Sequence, residues 1–139
     1  MSTYHPVINT QADLQEVWQH LMGPFGYHRH SVWWLLIEAD GQPIPQLTEL
    51  EDATEPPDPE QRAAMAGFLA DLVGSLEMTG PRLAFLISRP GRDAPRPEDA
   101  AWAAALYDVA RLAGLACEVV HLANDSGVVP LPLDALATP

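Results

Sequence analysis

The chain contains no lysine, one cysteine and no apolar run long enough to cross a membrane. Its seven basic residues are all arginines and face 19 acidic residues, which gives a formal net charge of −12. Such a surface repels phosphate backbones and anionic lipids, so nucleic-acid and membrane partners are not expected. Because Cys117 is the only cysteine, an intramolecular disulfide is excluded. No basic segment followed by an apolar run opens the sequence, and together these absences predict a cytoplasmic protein.

The length and apolar content indicate one folded domain. The chain has 139 residues, of which 47% are hydrophobic, enough for a core of its own. We therefore predict a single domain over residues 1–139. Residues 1–9 and 132–139 show no helical or strand periodicity, and we expect them to be loosely ordered.

The N-terminal half predicts a helix and a hairpin. A helix follows the N-cap candidate Thr10 and is expected to end at Gly23–Pro24. Residues 31–39 read SVWWLLIEA, an apolar run without alternation, which indicates an interior strand. After an Asp40–Gly41 turn, residues 43–50 contain two prolines and predict an edge strand. The acidic, proline-rich residues 48–59 predict a solvated loop.

The C-terminal half predicts two helices that alternate with strands. Asp58–Pro59 begins a helix whose apolar stripe, which includes Phe68, is expected to face the core. A strand over residues 82–88, a helix from Pro97 to Gly114, and strands over residues 116–122 and 128–131 follow. The order α-β-β-α-β-α-β-β predicts an α/β (α+β) domain, a mixed β-sheet with helices packed on it.

Three arginines lie in the connection after the strand 82–88. Arg89, Arg92 and Arg96 follow the carboxyl end of that strand, where ligands usually bind in α/β folds, and precede the start of a helix. One interpretation is a binding site for an anion or an acidic partner, since guanidinium groups and helix N-termini both favour anions. The other is ordinary solvated arginines that pair with the chain's own carboxylates. The residues alone leave both open.

The residues around this connection resemble a known family. Residues 87–93 read ISRPGRD, residues 96–99 read RPED, the next helix ends in Ala113–Gly114, and the following strand leads into His121. In order and spacing, this is similar to the RadC branch of the JAB/MPN metalloprotease-like domains, with His-x-His-Pro-x-Gly-Asp, then Ser-x-x-Asp, then a helix ending in Leu-Gly. Counting the upstream hairpin, the resemblance covers roughly residues 29–131. It implies a JAB/MPN (cytidine-deaminase-like) type of fold.

The departures from the family concern its metal site. The resemblance implies that Ile87 and Arg89 replace the two zinc-binding histidines, and that His30 replaces the glutamate that activates water. It also implies that Arg96 replaces the serine and that Asp99 retains the aspartate ligand. A catalytic zinc site needs about three protein ligands, and neither isoleucine nor a guanidinium can serve. The resemblance therefore implies a degenerate site at His30, Ile87, Arg89 and Asp99, without metal and without metal-assisted hydrolysis.

The same comparison suggests an ion pair. Arg89 is expected to lie where the metal was and to bind the Asp99 carboxylate, in the bidentate way a guanidinium allows. If the pair is buried, removing one partner is costly, and Arg89→Ala should lower the melting temperature more than Arg92→Ala.

Other candidate residues favour structural roles. His28, His30 and His121 could bind a metal only if the fold assembled them, and no carboxylate accompanies them at a recurring spacing. Cys117 and His121, four residues apart on one strand, would share a face but lie too far apart for a nucleophile and its base. Trp33 and Trp34 are expected on opposite faces, either both in the core or one at a subunit contact.

The sequence thus predicts a non-enzymatic binding or scaffold protein without cofactors, acting through protein contacts or as a homo-oligomer. An alternative is a hydrolase-like enzyme with a site rebuilt around Arg89, Asp99 and His30. A different three-layer α/β fold with the same element order also remains open.

Overall fold

A computed structural model describes residues 7–25, 30–44, 48–51, 55–91, 95–125 and 127–132. These residues form nine elements in the order α1 (Gln11–Phe25), β1 (Ser31–Ile37), β2 (Thr48–Glu51), α2 (Pro59–Ser75), β3 (Arg82–Ser88), α3 (Pro97–Ala113), β4 (Ala116–Cys117), β5 (Val120–Asn124) and β6 (Gly127–Leu131). The predicted α/β order is confirmed, except that the strand expected over residues 116–122 is divided into β4 and β5.

The strands form one mixed sheet in the order β2-β1-β3-β5-β6, with β4 also paired to β3. β1 is antiparallel to β2 and β3, β3 is parallel to β4 and β5, and β6 is antiparallel to β5. The parallel pair of β3 and β5 is connected through α3, as a parallel connection requires. The expected mixed sheet is therefore present, and the carboxyl ends of β3 and β5 lie side by side.

Helices cover both faces of the sheet. One apolar cluster joins the sheet to α2 and α3 through Val32, Phe85, Leu69 and Trp102, among others. A second cluster joins the opposite face to α1 and contains Leu14, Val17, Trp18, Trp33 and Leu35. Side chains of β1 alternate between these clusters, and six of its seven residues are buried. β1 is thus the interior strand that its unbroken apolar sequence predicted.

Two helix starts follow the predicted capping chemistry. The Asp13 backbone N–H donates to Thr10 Oγ1 at 3.1 Å, and the Thr10 N–H donates to Asp13 Oδ2 at 3.1 Å. At α2, the Gln61 N–H donates to Asp58 Oδ1 at 2.8 Å and the Asp58 N–H to Gln61 Oε1 at 2.9 Å. Each reciprocal pair of hydrogen bonds, known as a capping box, satisfies backbone donors that the first helical turn leaves without partners.

Two boundary predictions are wrong. α1 continues to Phe25 through Gly23 and Pro24, because a proline in the last turn removes only one terminal hydrogen bond. Thr48–Glu51 is strand β2 rather than loop, since its backbone pairs with β1 in the register Val32–Leu50 and Trp34–Thr48. Ladder pairing and cross-strand contacts there outweigh the low strand preference of glutamate. Its position at the end of the strand order confirms the predicted edge strand, although residues 45–47 lie outside the described part.

The ends of the chain are only partly described. Residues 1–6 and 133–139 lie outside the described residues. Ile8, within the segment expected to be loose, is fully buried, and its N–H donates to Gly41 O at 2.7 Å. The expectation of loose order does not hold at Ile8, because this side chain joins the cluster beneath α1. Among the described helices, none is long and apolar enough to span a membrane.

Candidate functional site

The connection from β3 to α3 contains a buried ion pair. Arg89 Nη2 donates to Asp99 Oδ2 at 2.9 Å, and Arg89 Nε lies 3.0 Å from Oδ1 and 3.2 Å from Oδ2. The two residues are 1% and 4% exposed. The predicted pairing of Arg89 with Asp99 is confirmed, and the carboxylate receives the guanidinium in the side-on geometry that makes such pairs strong.

Strand and helix geometry bring the two residues together. Arg89 follows β3 directly, two residues after Ile87, so both side chains point to the side of the sheet that carries α3. Asp99 is the third residue of α3, after Pro97 at the first position. There Asp99 Oδ2 also accepts the Arg96 backbone N–H at 2.8 Å. Asp99 therefore caps α3 and neutralises Arg89 with the same carboxylate.

Backbone hydrogen bonds join this connection to the neighbouring parallel strand. The Arg89 N–H donates to Ala123 O at 3.1 Å, and the Asp125 N–H donates to Gly91 O at 2.8 Å. In return, the Gly91 N–H donates to Asp125 Oδ2 at 3.0 Å. Gly91 has φ of +101°, a conformation that side chains rarely adopt, and a Cβ there would lie 3.6 Å from Arg96 Nη2 and 3.8 Å from Arg89 Nη1. Glycine thus permits the turn beside which the guanidinium groups of Arg89 and Arg96 lie.

The three arginines of the predicted anion site differ in their surroundings. Arg89 is buried against Asp99, so its guanidinium does not face solvent. Arg96 is partly exposed, and its Nη1 lies 3.8 Å from Glu98 Oε2. Arg92 lies outside the described residues. Because Asp99 binds Arg89 and Glu98 lies beside Arg96, the charge of both described arginines is already matched by carboxylates of the chain, which disfavours an anion site there.

The remaining positions of the metal site that the resemblance implied are divided between core and surface. Ile87 is packed in the cluster beneath α2 and α3. His30 is exposed and directly precedes β1, whose first residue, Ser31, pairs with Ser88. The sheet therefore brings His30 to the same end as Arg89, but on the surface. Among the described residues, no group of three His, Cys, Asp or Glu side chains could hold a metal ion.

Cys117 and His121 do not share a face, contrary to the sequence-based expectation. Glu118 and Val119 separate β4 from β5 and interrupt the alternation of side chains. Cys117 packs toward α3, and so do Val120 and Leu122. His121 lies between these last two residues and therefore points to the opposite face of the sheet. Burial and the charge of Glu118 raise the pKa of the Cys117 thiol to about 12. Burial lowers the pKa of His121, whose Nδ1 lies 3.0 Å from Val119 O. Both groups are thus held neutral, Cys117 as a half-buried residue and His121 as a fully buried one.

The two tryptophans lie on opposite faces, as predicted. Trp33 is buried beneath α1, and its Nε1–H donates to Ser88 Oγ at 2.9 Å. Trp34 is half-buried on the other face, with its ring edge-on to Phe68 at a centroid distance of 6.3 Å. Trp34 is therefore the tryptophan that reaches the surface.

Phe68 and Trp34 border an apolar groove that the sequence did not reveal. The groove has a volume of about 390 Å³ and is lined by residues of β1, β2, α2 and β3. Its walls are mostly apolar and include Trp34, Leu50, Ala64, Met65, Phe68 and Phe85, with Thr48 and Glu49 of β2 as polar lining residues. Phe68 was predicted to face the core, but it is 60% exposed, and Leu50 is 44% exposed. Phe68 lies at the margin of the helical stripe and lines the groove together with the edge strand β2. The position of Phe68 at the margin of the apolar stripe was the one feature of the sequence that pointed to its exposure.

Comparison with known proteins does not identify a relative. No family model, no curated protein and no solved structure matches the chain.

Proposed function

We propose that this chain is a non-enzymatic binding or scaffold protein on a JAB/RadC-like fold whose metal position is taken by an arginine. The observation that carries the proposal is the buried bidentate pair of Arg89 and Asp99. Both oxygens of the Asp99 carboxylate accept hydrogen bonds from Arg89, and the guanidinium stays protonated at any working pH. A cation could reach Asp99 only by displacing Arg89, which would leave a buried guanidinium without its counter-charge.

The apolar groove supports a role in protein contacts. Large apolar side chains exposed together at a groove are more often a contact surface than ordinary surface. Phe68 and Leu50 are exposed beside the groove, and the half-buried Trp34 lines the groove with them. A cytoplasmic location belongs to the same proposal and is supported by the single cysteine, which leaves no disulfide framework.

The alternative, a hydrolase-like site at Arg89, Asp99 and His30, has less support. Arg89 and Asp99 are almost fully enclosed, whereas a catalytic carboxylate has to reach its substrate. Only His30 of the three is exposed.

Zinc binding tests the proposal directly. The purified wild-type protein is analysed for metal by mass spectrometry and titrated with ZnCl₂ in a calorimeter. We expect no stoichiometric metal and no binding heat at micromolar zinc. One tightly bound zinc per chain, or loss of zinc binding in Asp99→Asn, would overturn the metal-free function.

A double variant tests the resemblance itself. Ile87→His with Arg89→His would recreate the family's histidine pair beside Asp99, and zinc should then raise the melting temperature of the variant. The matched control adds Asp99→Asn to the same pair of substitutions and should respond to zinc much less. A folded double variant whose melting temperature ignores zinc would contradict the relation to the JAB/RadC domains.

A further inference from the structure

Two arginines share one carboxylate where α2 and α3 meet. Arg111 Nε donates to Asp108 Oδ1 at 3.0 Å, and Arg62 Nε lies 3.3 Å from Asp108 Oδ2 without forming a hydrogen bond. The other arginines of the described residues each have a carboxylate of their own, namely Arg82 with Glu118, Arg89 with Asp99 and Arg96 with Glu98. The group of Arg62, Asp108 and Arg111 therefore keeps one positive charge that no described carboxylate matches.

A second cavity, which we call the α3 cavity, opens beside Arg111. It has a volume of about 440 Å³, and its lining includes Tyr107, Ala110, Arg111, Leu115, Cys117 and Val119. Of the described residues that line it, Arg111 alone is charged. Pockets that bind small molecules have this size and are mostly apolar, with a few polar groups that fix the orientation of the ligand. The α3 cavity thus has the composition of a small-molecule site with one cationic end.

The hydroxyl of Tyr107 bridges two strands in the wall of the α3 cavity. Val120 and Leu131 are direct partners in the β5–β6 ladder. The Val120 N–H donates to Tyr107 Oη at 2.9 Å, and Tyr107 Oη donates to Leu131 O at 2.8 Å. Because these three groups satisfy one another, the wall is held by hydrogen bonds in the folded chain. A cavity that is already formed binds a ligand without the cost of rearranging the protein.

The end of α3 beside the cavity is capped. The C-terminal end of a helix is negative because its last carbonyls lack partners within the helix, and it would oppose a negative ligand. Here Ala110 O accepts the Leu115 N–H at 3.0 Å, and Arg111 O accepts the Gly114 N–H at 3.1 Å. These two hydrogen bonds weaken the negative end of the helix next to the Arg111 side chain.

We infer that the α3 cavity binds a small monocarboxylate, with the carboxylate at Arg111 and the apolar body against Leu115 and Val119. Arg111 uses Nε and Nη2 for Asp108, and its Nη1 has no hydrogen-bond partner among the described residues. One unmatched charge fits a monoanion better than a phosphate with two charges. Because the net charge of −12 repels anions at long range, binding depends on this local group.

The α3 cavity is remote from the buried ion pair. Cys117, in its lining, pairs with Leu83 near the start of β3, whereas Arg89 follows the end of β3. Six residues of strand separate the two levels, which corresponds to about 20 Å. A carboxylate site here therefore goes beyond the proposed function, which concerns the metal-free ion pair and protein contacts, and the two can fail independently.

An NMR titration of the full, methyl-labelled chain tests the inference. The probe is 4-phenylbutanoate, and the matched control is its neutral amide, 4-phenylbutanamide. The methyl resonances of Leu115 and Val119 should shift with a Kd of about 1 mM or below for the carboxylate. The amide should bind at least about threefold more weakly, because it lacks the charge that Arg111 recognises. The resonances of Leu50 and Met65, which line the apolar groove, should stay unchanged.

Two charge variants should change the affinity in opposite directions. Arg111→Gln removes the cation and should weaken binding of 4-phenylbutanoate about three- to fivefold. Asp108→Asn releases both arginines from their shared carboxylate and should tighten binding by a similar factor. The matched control, Asp71→Asn, makes the same change in net charge at an exposed position of α2 and should alter the Kd less than about twofold. Neither Arg111→Gln nor Asp108→Asn should affect the amide.

Filling the cavity tests the location independently of charge. Val119→Trp places a large side chain in the lining and should abolish binding of both the carboxylate and the amide. Circular dichroism and thermal unfolding verify that each variant folds. Arg111→Gln and Asp71→Asn change exposed side chains, so the test does not depend on the Val119 variant.

Three results would overturn the carboxylate site. These are the absence of shifts at about 10 mM probe, shifts confined to the apolar groove, and equal affinities for carboxylate and amide that Arg111→Gln leaves unchanged. None of them bears on zinc. A metal-free chain that ignores 4-phenylbutanoate would refute the carboxylate site alone, whereas stoichiometric zinc would refute the proposed function whatever the α3 cavity binds.

Discussion

Arg89 binds both carboxylate oxygens of Asp99 through its Nε and Nη2 atoms, and both residues are almost fully buried. Arg89 lies at the end of β3 and Asp99 in the first turn of α3. The same carboxylate accepts the N–H of Arg96. One aspartate thus joins a strand end, a helix start and the connection between them.

Removing Arg89 should destabilise the protein far more than removing an exposed arginine with the same kind of partner. Arg111 is the matched control, because its Nε and Nη2 bind Asp108 in a similar way on the surface of α3. Arg89→Ala leaves a buried carboxylate unpaired, at a cost of about 3–5 kcal/mol, whereas an exposed pair contributes about 1 kcal/mol or less. Thermal unfolding should show a drop of roughly 10 °C or more for Arg89→Ala and at most a few degrees for Arg111→Ala. Equal small drops would contradict a structural role for the buried pair. Arg92, the comparison suggested by the sequence, lies outside the described residues.

Cys117 should react very slowly with thiol reagents in the folded protein. With its pKa raised to about 12 by burial, only about one thiol in 10,000 is ionised at pH 8. Alkylation by iodoacetamide, followed by intact-mass spectrometry, should be on the order of a thousandfold slower than for free cysteine. In 6 M guanidinium chloride the same protein should gain one adduct at the ordinary rate. A folded-state rate within tenfold of free cysteine would show that Cys117 is accessible as a thiolate.

His121 should make stability fall as the pH drops below its ordinary pKa. Burial lowers its pKa in the folded state from 6.5, so the unfolded chain binds the proton first. The free energy of unfolding is therefore unaffected by His121 above about pH 7 and decreases as the pH falls through 6.5. Urea unfolding at pH 7.5 and 5.5 should show this decrease in the wild type and a smaller one in His121→Leu. An identical loss in His121→Leu would assign the effect to other groups.

Two glycines should respond in opposite ways to alanine. Gly114 ends α3 with φ of +71°, where a Cβ adds backbone strain, so Gly114→Ala should lower stability by about 1 kcal/mol. Gly67 lies in the interior of α2 with open space around it, so Gly67→Ala should raise the stability of the isolated chain by up to about 1 kcal/mol. Urea unfolding of the wild type and the two variants gives both values. Stabilisation by Gly114→Ala would contradict the left-handed C-cap.

The pattern of residues predicted the elements, because these depend on short-range chemistry, whereas the ion pair was expected from the family resemblance, which put Arg89 at the metal position beside Asp99. Asp58 and Gln61 specify a helix start by themselves, and Arg89 and Asp99 are only ten residues apart across one strand end and one helix start. The groove was not predictable, because the exposure of Phe68 depends on how far the sheet extends beneath α2. The faces of Cys117 and His121 were also mispredicted, since a two-residue interruption of a strand leaves no clear mark in an apolar sequence.

Gly91 and Asp125 exchange hydrogen bonds between the two segments that follow β3 and β5. In open α/β sheets, small molecules usually bind in the crevice beyond the carboxyl ends of neighbouring strands. Here two hydrogen bonds of Gly91 and Asp125 join the two segments across that position. Anyone using this scaffold to engineer a receptor would begin with Asp125 rather than with the core, because its side chain supplies one of these two bonds.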